Sequence, residues 1–232
     1  MLKEIELIYL DRHFETMPRP GQPDFYRSRA RAEGYVARAV YKLKEVDEKY
    51  HLLQPGHRVL DLGCSPGSWL QYIASRTGPQ GLVVGVDVNR PKIEVAPPLY
   101  FVQGEIASLD LATITALSPV FDVVVSDLAP KTTGLRQVDQ QRSLELACLA
   151  WEWARQLLRR GGHFLVKVFE GPDTRALAAV LKANFTLCRP VKPAGSRPAS
   201  REIYWLGLKK RGGPSGSELP PPDLAGSQPV EP

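Results

Sequence analysis

Apolar positions along the chain alternate between two periods. Between residues 35 and 50, Val36, Ala39, Val40, Leu43, Val46 and Tyr50 recur at intervals of three and four, the stripe of an amphipathic helix. Short runs rich in β-branched and aromatic residues follow at 58–62, 82–88, 99–103, 121–126, 163–169 and 202–208. Most are almost continuously apolar, as strands covered on both faces must be. The spacing predicts a second long helix over 139–160, with Leu144, Ala147, Leu149, Ala150, Trp153, Ala154, Leu157 and Leu158 apolar. Asp139 is its expected N-cap, Arg159 and Arg160 suit its negative end, and Gly161-Gly162 should stop it. Alternating helices and strands predict an α/β fold: a doubly wound, Rossmann-like, mostly parallel sheet with helices on both faces.

The ends read differently. In residues 212–232, 13 of 21 positions are Gly, Pro or Ser, so neither helix nor strand can propagate and a disordered tail is expected. Residues 1–23 mix an apolar stretch (Ile5, Leu7, Ile8, Leu10) with the breakers Pro18, Pro20, Gly21 and Pro23, and form an extension whose role the residues do not disclose. One globular domain over 24–211 remains.

Composition narrows the class. No run of about 18 uncharged apolar residues occurs, and Met1-Leu-Lys-Glu-Ile-Glu puts acids where a signal peptide needs a basic region, so a soluble cytoplasmic protein is expected, not a membrane one. Cys64, Cys148 and Cys188 include no CxxC pair, which supports neither disulfides nor a zinc site, and no metal is expected. The net charge of +5 becomes +8 over residues 1–211 once the tail's three acids are set aside. Residues 182–211 hold eight basic residues against one acid, Glu202, which suits a polyanion or a solvated face.

Candidate chemistry begins at Val59-Leu-Asp-Leu-Gly63-Cys-Ser-Pro-Gly67-Ser-Trp69, a strand running into a turn and a helix. A dinucleotide loop would read GxGxxG; here three residues separate Gly63 from Gly67, which argues against NAD. A ligand without pyrophosphate, an adenosine bearing an amino acid, needs a close backbone approach and carboxylates for its ribose and cationic groups. S-adenosylmethionine is such a ligand. Asp87 ends the second strand, where a carboxylate can accept both ribose hydroxyls, and Glu105 follows the third, placed for the adenine amino group. The competing reading is that these acids merely cap helices.

Ser126-Asp-Leu-Ala-Pro130 lacks the Asp/Asn-Pro-Pro-aromatic motif of enzymes that methylate exocyclic amines, and no cysteine falls on a suitable strand-end loop for covalent carbon methylation. What the strand ends offer is Asp127 and Lys167, the latter a lysine inside the apolar run Phe164-Leu-Val-Lys-Val-Phe169, which is costly unless paired. The alternative is a lysine reaching to the sheet edge.

These segments, with Arg38-Ala-Val-Tyr-Lys-Leu-Lys-Glu45 and Ser200-Arg-Glu202, resemble the FtsJ-type ribosomal RNA 2′-O-ribose methyltransferases over residues 24–208. The resemblance implies a methyltransferase domain over 24–211, S-adenosylmethionine as cofactor, and transfer to a uridine 2′-hydroxyl of 23S-type ribosomal RNA, within the large subunit, by a monomer. That family is known for a Lys-Asp-Lys-Glu tetrad, which maps onto Lys42, Asp127, Lys167 and Glu202. Its cofactor residues map onto Gly67, Trp69, Asp87, Glu105 and Asp127. The chain departs from the family pattern at Cys64-Ser-Pro-Gly-Ser68, where Ala-Ala-Pro-Gly-Gly is common, and at Glu105, where Asp is common. Periodicity does not single out Lys42, because Lys42 and Lys44 flank the same apolar stripe. Lys167 is expected to be the base or last proton acceptor, against a purely positioning, charged lysine. The 2′-hydroxyl specifies RNA and not DNA. Basic stretches at 27–44 and 182–211 then read as phosphate contacts flanking the site. A transfer RNA 2′-O-methyltransferase, a small-molecule O-methyltransferase and a non-catalytic RNA-binding module are the competing readings.

Overall fold

In a computed structural model, residues 25–196 and 200–212 are described; the expected extension at 1–23 and all of the expected tail beyond Gly212 lie outside them. In chain order the elements are α1 (Phe25–Ala32), α2 (Val40–Tyr50), β1 (Arg58–Leu62), α3 (Ser68–Thr77), β2 (Leu82–Asp87), β3 (Leu99–Gln103), α4 (Leu111–Thr115), β4 (Phe121–Ser126), α5 (Arg136–Leu157), β5 (Leu158–Phe169), α6 (Thr174–Asn184), β6 (Phe185–Val191) and β7 (Glu202–Lys210). They form one seven-stranded sheet ordered β3-β2-β1-β4-β5-β7-β6. The first five strands run parallel, and β7 runs antiparallel to both β5 and β6. The α/β, mostly parallel reading of the sequence is the observed fold.

Alternation along the strands sends successive side chains into two cores. Leu60, Leu62, Val124 and Phe164 pack with Trp151, Leu157, Leu177 and Phe185 under α5 and α6. Val59, Val123, Val125 and Leu165 pack on the other face with Val40, Leu43, Trp69 and Ile73 from α2 and α3. Among the described residues no helix is long and apolar enough to cross a membrane.

Both predicted helices move at their ends. The first begins at Val40 rather than 35, because Tyr35 N donates to Ala30 O and Val36 N to Gln71 Oε1, so these amides close turns elsewhere. The second begins at Arg136 and stops at Leu157. Asp139 lies inside its first turn and reaches back to accept from Thr133 N, Thr133 Oγ1 and Gly134 N, which braces the preceding loop. Leu158 already pairs with Phe121, so Arg159, Arg160 and the two glycines belong to β5. Gly162 is there for close strand contact: a Cβ on it would meet Asp122 O at 2.8 Å. The apolar pattern does not predict strand β6, since most of its residues are partly or wholly exposed and it contains Pro190, as an edge strand can.

Candidate active site

The parallel strands deliver their carboxyl ends to one edge, and there the candidate residues meet. Asp127 follows β4 and Lys167 lies two residues before the end of β5. Because β7 runs the other way, it begins at this edge, with Glu202 beside Phe169 and Tyr204 beside Lys167. The α2 helix packs over the same end and brings Lys42 down.

The four residues form a chain of contacts. Lys167 Nζ donates to the Asp127 carbonyl at 2.6 Å and lies 3.0 Å from Asp127 Oδ1. Lys42 Nζ sits 4.0 Å from that same oxygen and 2.5 Å from Glu202 Oε1, which also accepts from Ser196 Oγ at 3.0 Å. Tyr204 adds a further donor, its hydroxyl giving a 2.6 Å bond to Asp127 Oδ1. Side-chain exposure is 12% for Lys42, 19% for Asp127, 5% for Lys167 and 12% for Glu202, so the group is shielded but open at one side. Burial pushes the Asp127 carboxyl up, yet Lys167, Lys42 and the Tyr204 hydroxyl outweigh it and hold the group below its ordinary range. Burial, with Asp127 and Glu202 nearby, pushes the Tyr204 phenol well up, so it stays a donor. Sequence reasoning misses Tyr204: its place in the apolar run Ile203-Tyr-Trp-Leu206 reads as core, and it is indeed fully buried. The usable signal is its position two residues after Glu202, on the same face of a strand.

The glycine loop adjoins this group. Gly63 (φ 82°) and Gly67 (φ 113°) both need the left-handed region, and a Cβ on Gly63 would stand 2.9 Å from Leu128 N, next to Asp127. Asp87 accepts from Ser65 N at 3.0 Å and Asn89 N at 2.8 Å, holding the loop from below. Trp69 is buried: its indole donates to Ala39 O at 2.8 Å and its ring packs 6.1 Å from Tyr204, so its side chain ties α2 to the sheet. Glu105 is exposed after β3. A second residue missed from the sequence, an acid, lies between these points. Asp61 on β1 is fully buried, neither carboxylate oxygen has a hydrogen-bond partner, and burial, then the charges of Asp127 and Asp87, push it well above the usual carboxylate range. An acid inside Arg58-Val-Leu-Asp-Leu62 is the same kind of anomaly that singles out Lys167. The thiols offer no nucleophile: Cys64 is buried and pushed far up, and burial pushes Cys148 and Cys188 up to about 11.

Comparison with known proteins decides the family. The model for FtsJ-like methyltransferases matches residues 35–210. The chain belongs to that family. The ribosomal RNA large subunit methyltransferase E of Syntrophobacter fumaroxidans is 43% identical over 189 residues, covering 81% of this chain and 96% of that protein. Its namesake in Bdellovibrio bacteriovorus is 42% identical over 191 residues, covering 81% and 97%. A crystal structure from Plasmodium falciparum, assigned to a ribosomal RNA methyltransferase, superposes with a TM-score of 0.67 at 33% identity, covering 77% of this chain and all of that one.

In this FtsJ-like methyltransferase the basic stretch at 27–44 divides by partner. Arg29 and Lys44 pair with Glu33, and Lys42 with Glu202, so the structure separates the two lysines that periodicity could not. Arg27, Arg31 and Arg38 have no ion pair among the described residues. Beside Glu202 a cleft is lined by Arg136, Asp139, Gln140, Phe169, Ser200 and Arg201.

Proposed function

We propose that the protein is a cytoplasmic, monomeric S-adenosylmethionine-dependent 2′-O-ribose methyltransferase of large-subunit ribosomal RNA, acting on a uridine through residues 24–211. The observation that carries this reading is the contact chain Lys167–Asp127–Lys42–Glu202 set against the glycine loop. The names of the relatives support the ribosomal substrate.

The residues present fit the cofactor. Asp61 supplies a buried carboxyl group with both oxygens unpartnered beside the loop, one that a ligand's α-ammonium group would favour in its ionised form. Asp87 has spare lone pairs for ribose hydroxyls, Gly67 allows the backbone approach, the first turn of α3 at Trp69 offers amides, and the exposed Glu105 carboxylate stands ready for the adenine amine. When bound, the cofactor supplies a methyl group activated by its sulfonium.

The chain's own residues then do three things. They orient: with Asp127 O and Oδ1 fixing Lys167 Nζ, one tetrahedral direction of that nitrogen is left to face the substrate hydroxyl. They move a proton: Lys167 Nζ, in its amine form, would take the proton of the ribose hydroxyl that accepts the methyl group the cofactor would supply. They guard geometry: Glu202 and Asp127 hold Lys42 at the mouth, and Tyr204 fixes the Asp127 carboxylate.

The test incubates the protein with labelled S-adenosylmethionine and large ribosomal subunits lacking the modification, with transfer RNA in parallel, and analyses nucleosides by mass spectrometry. Labelled 2′-O-methyluridine from the subunit is expected; label only in transfer RNA would replace the substrate. Lys167→Arg keeps the charge but cannot deprotonate, so a drop of about 10²- to 10⁴-fold in single-turnover rate is expected. Near-normal turnover would end the base role.

A further inference from the structure

The topology splits the basic run at 182–211 between the two ends of the sheet. Arg201 sits at the active-site edge, but β7 then runs away from it, and at about 3.3 Å per residue Lys209 emerges roughly 23 Å from Glu202. The reading that the whole run flanks the site is therefore corrected.

At that far end β1 and β5 begin, adding Arg58, Arg159 and Arg160 to Lys209, Lys210 and Arg211. The acid set among them is Asp122, and it is spent: it accepts from Arg58 N at 2.7 Å and from the Arg58 and Arg159 guanidinium groups. Lys210 is tied too, its Nζ donating to the Arg155 and Leu158 carbonyls. Arg160, Lys209 and Arg211 are exposed and have no ion pair among the described residues. Their backbone is anchored and two of the side chains have contacts of their own. The Arg160 side chain lies against Gly212, where a Cβ would stand 2.7 Å from Arg160 Cδ; the Lys209 amide donates to His163 Nδ1; and Arg211 donates through its amide to Asn184 O at 2.8 Å and through Nε to Phe185 O at 3.1 Å. Charges of one sign with no ion pair among the described residues, gathered where β5 begins and β7 ends, repel one another, and a polyanion lying across them relieves that repulsion.

We propose that Arg160, Lys209 and Arg211 form a second RNA-backbone site, which grips phosphates of the substrate remote from the ribose being methylated. The proposal rests on the RNA-methylation reading for its ligand and goes beyond it in making the grip two-ended. A short strand reaching only the active-site edge is blind to this surface, whereas a long hairpin spans both.

The experiment compares the wild type with R160Q/K209Q/R211Q, which leaves Arg58, Arg159, Lys210 and every active-site residue untouched. Binding of a single-stranded uridine pentamer and of a long RNA hairpin is titrated against salt. For the hairpin, the slope of log K against log salt is expected to become shallower by about 3, one unit for each phosphate that the variant no longer neutralises, with the pentamer unaffected. Steady-state methylation of the long RNA should show a raised KM with kcat kept. A single R160Q variant, shifting the slope by about 1, guards against misfolding of the triple one. An unchanged hairpin slope, or equal weakening of both probes, overturns the proposal. Absence of methyl transfer from every RNA, with the hairpin slope still shifted, overturns the methylation reading and leaves this surface standing.

Discussion

Two histidines near the amino ends of the strands are held below the range in which a free imidazole takes up a proton. Burial, aided by His57, Arg159 and Lys209 close by, pushes His163 down to about 4, and its Nδ1 accepts from Lys209 N. Burial likewise lowers His57. Since unfolded histidine titrates near 6.5, the unfolded chain binds protons first, so His163 contributes stability above about pH 6.5 that drains away as pH falls to about 4. Thermal melts of His163→Gln between pH 7 and 4.5 should show a smaller loss than the wild type; an identical loss would place the acid sensitivity elsewhere. Such effects come from the fold and are invisible in the sequence. Legibility of the site differs residue by residue for similar reasons. Lys167 is readable because a charge in an apolar strand is anomalous by itself, and Asp61 is readable on the same ground, though the motif reading of its loop leaves it aside. Lys42 is not, since only the approach of Glu202, 160 residues later in the chain, distinguishes it from Lys44. Trp69 is expected at the cofactor, yet its side chain is committed to Ala39 and Tyr204.

At the level of elements, the glycine loop meets the segment after β4, next to Asp127, through one tight contact. Gly63→Ala must place a methyl in a left-handed conformation, worth about 1–2 kcal/mol, and drive it into the Leu128 backbone 2.9 Å away. Gly56 has nearly the same φ, 80°, with open space around it, so Gly56→Ala isolates the conformational cost. Denaturant melts should show Gly63→Ala the more destabilised, and calorimetry should show that it alone loses S-adenosylmethionine affinity. Equal behaviour of the two would mean that the loop and the segment after β4 are independent. The buried parallel strands are well placed because they are continuous apolar runs, whereas the exposed edge strand β6 is missed. Helix ends are not well placed, because they depend on where amides find distant acceptors, as Val36 does on Gln71, and on a strand that starts with Leu158-Arg-Arg-Gly-Gly162 and so looks like a helix stop.

For the whole molecule, the decisive feature is β7, the last strand among the described residues. It enters between β5 and β6 and carries Glu202 and Tyr204 to Asp127 and Lys42. Until it docks, β5 and β6 each present an open edge and the Asp127 carboxylate lacks its phenol donor. A chain still being synthesised can therefore fold β1 to β4 around the glycine loop while the proposed catalytic group is unfinished. Arrested nascent chains in which residues 202–210 have not emerged should be cut readily by protease within β5, and should gain protection only once those residues are free; early protection would show that the strand adds little. The order of synthesis would thus act as a timer: a protein proposed to modify ribosomal RNA is born beside a large amount of it, and its proposed catalytic group is assembled only when β7 has emerged.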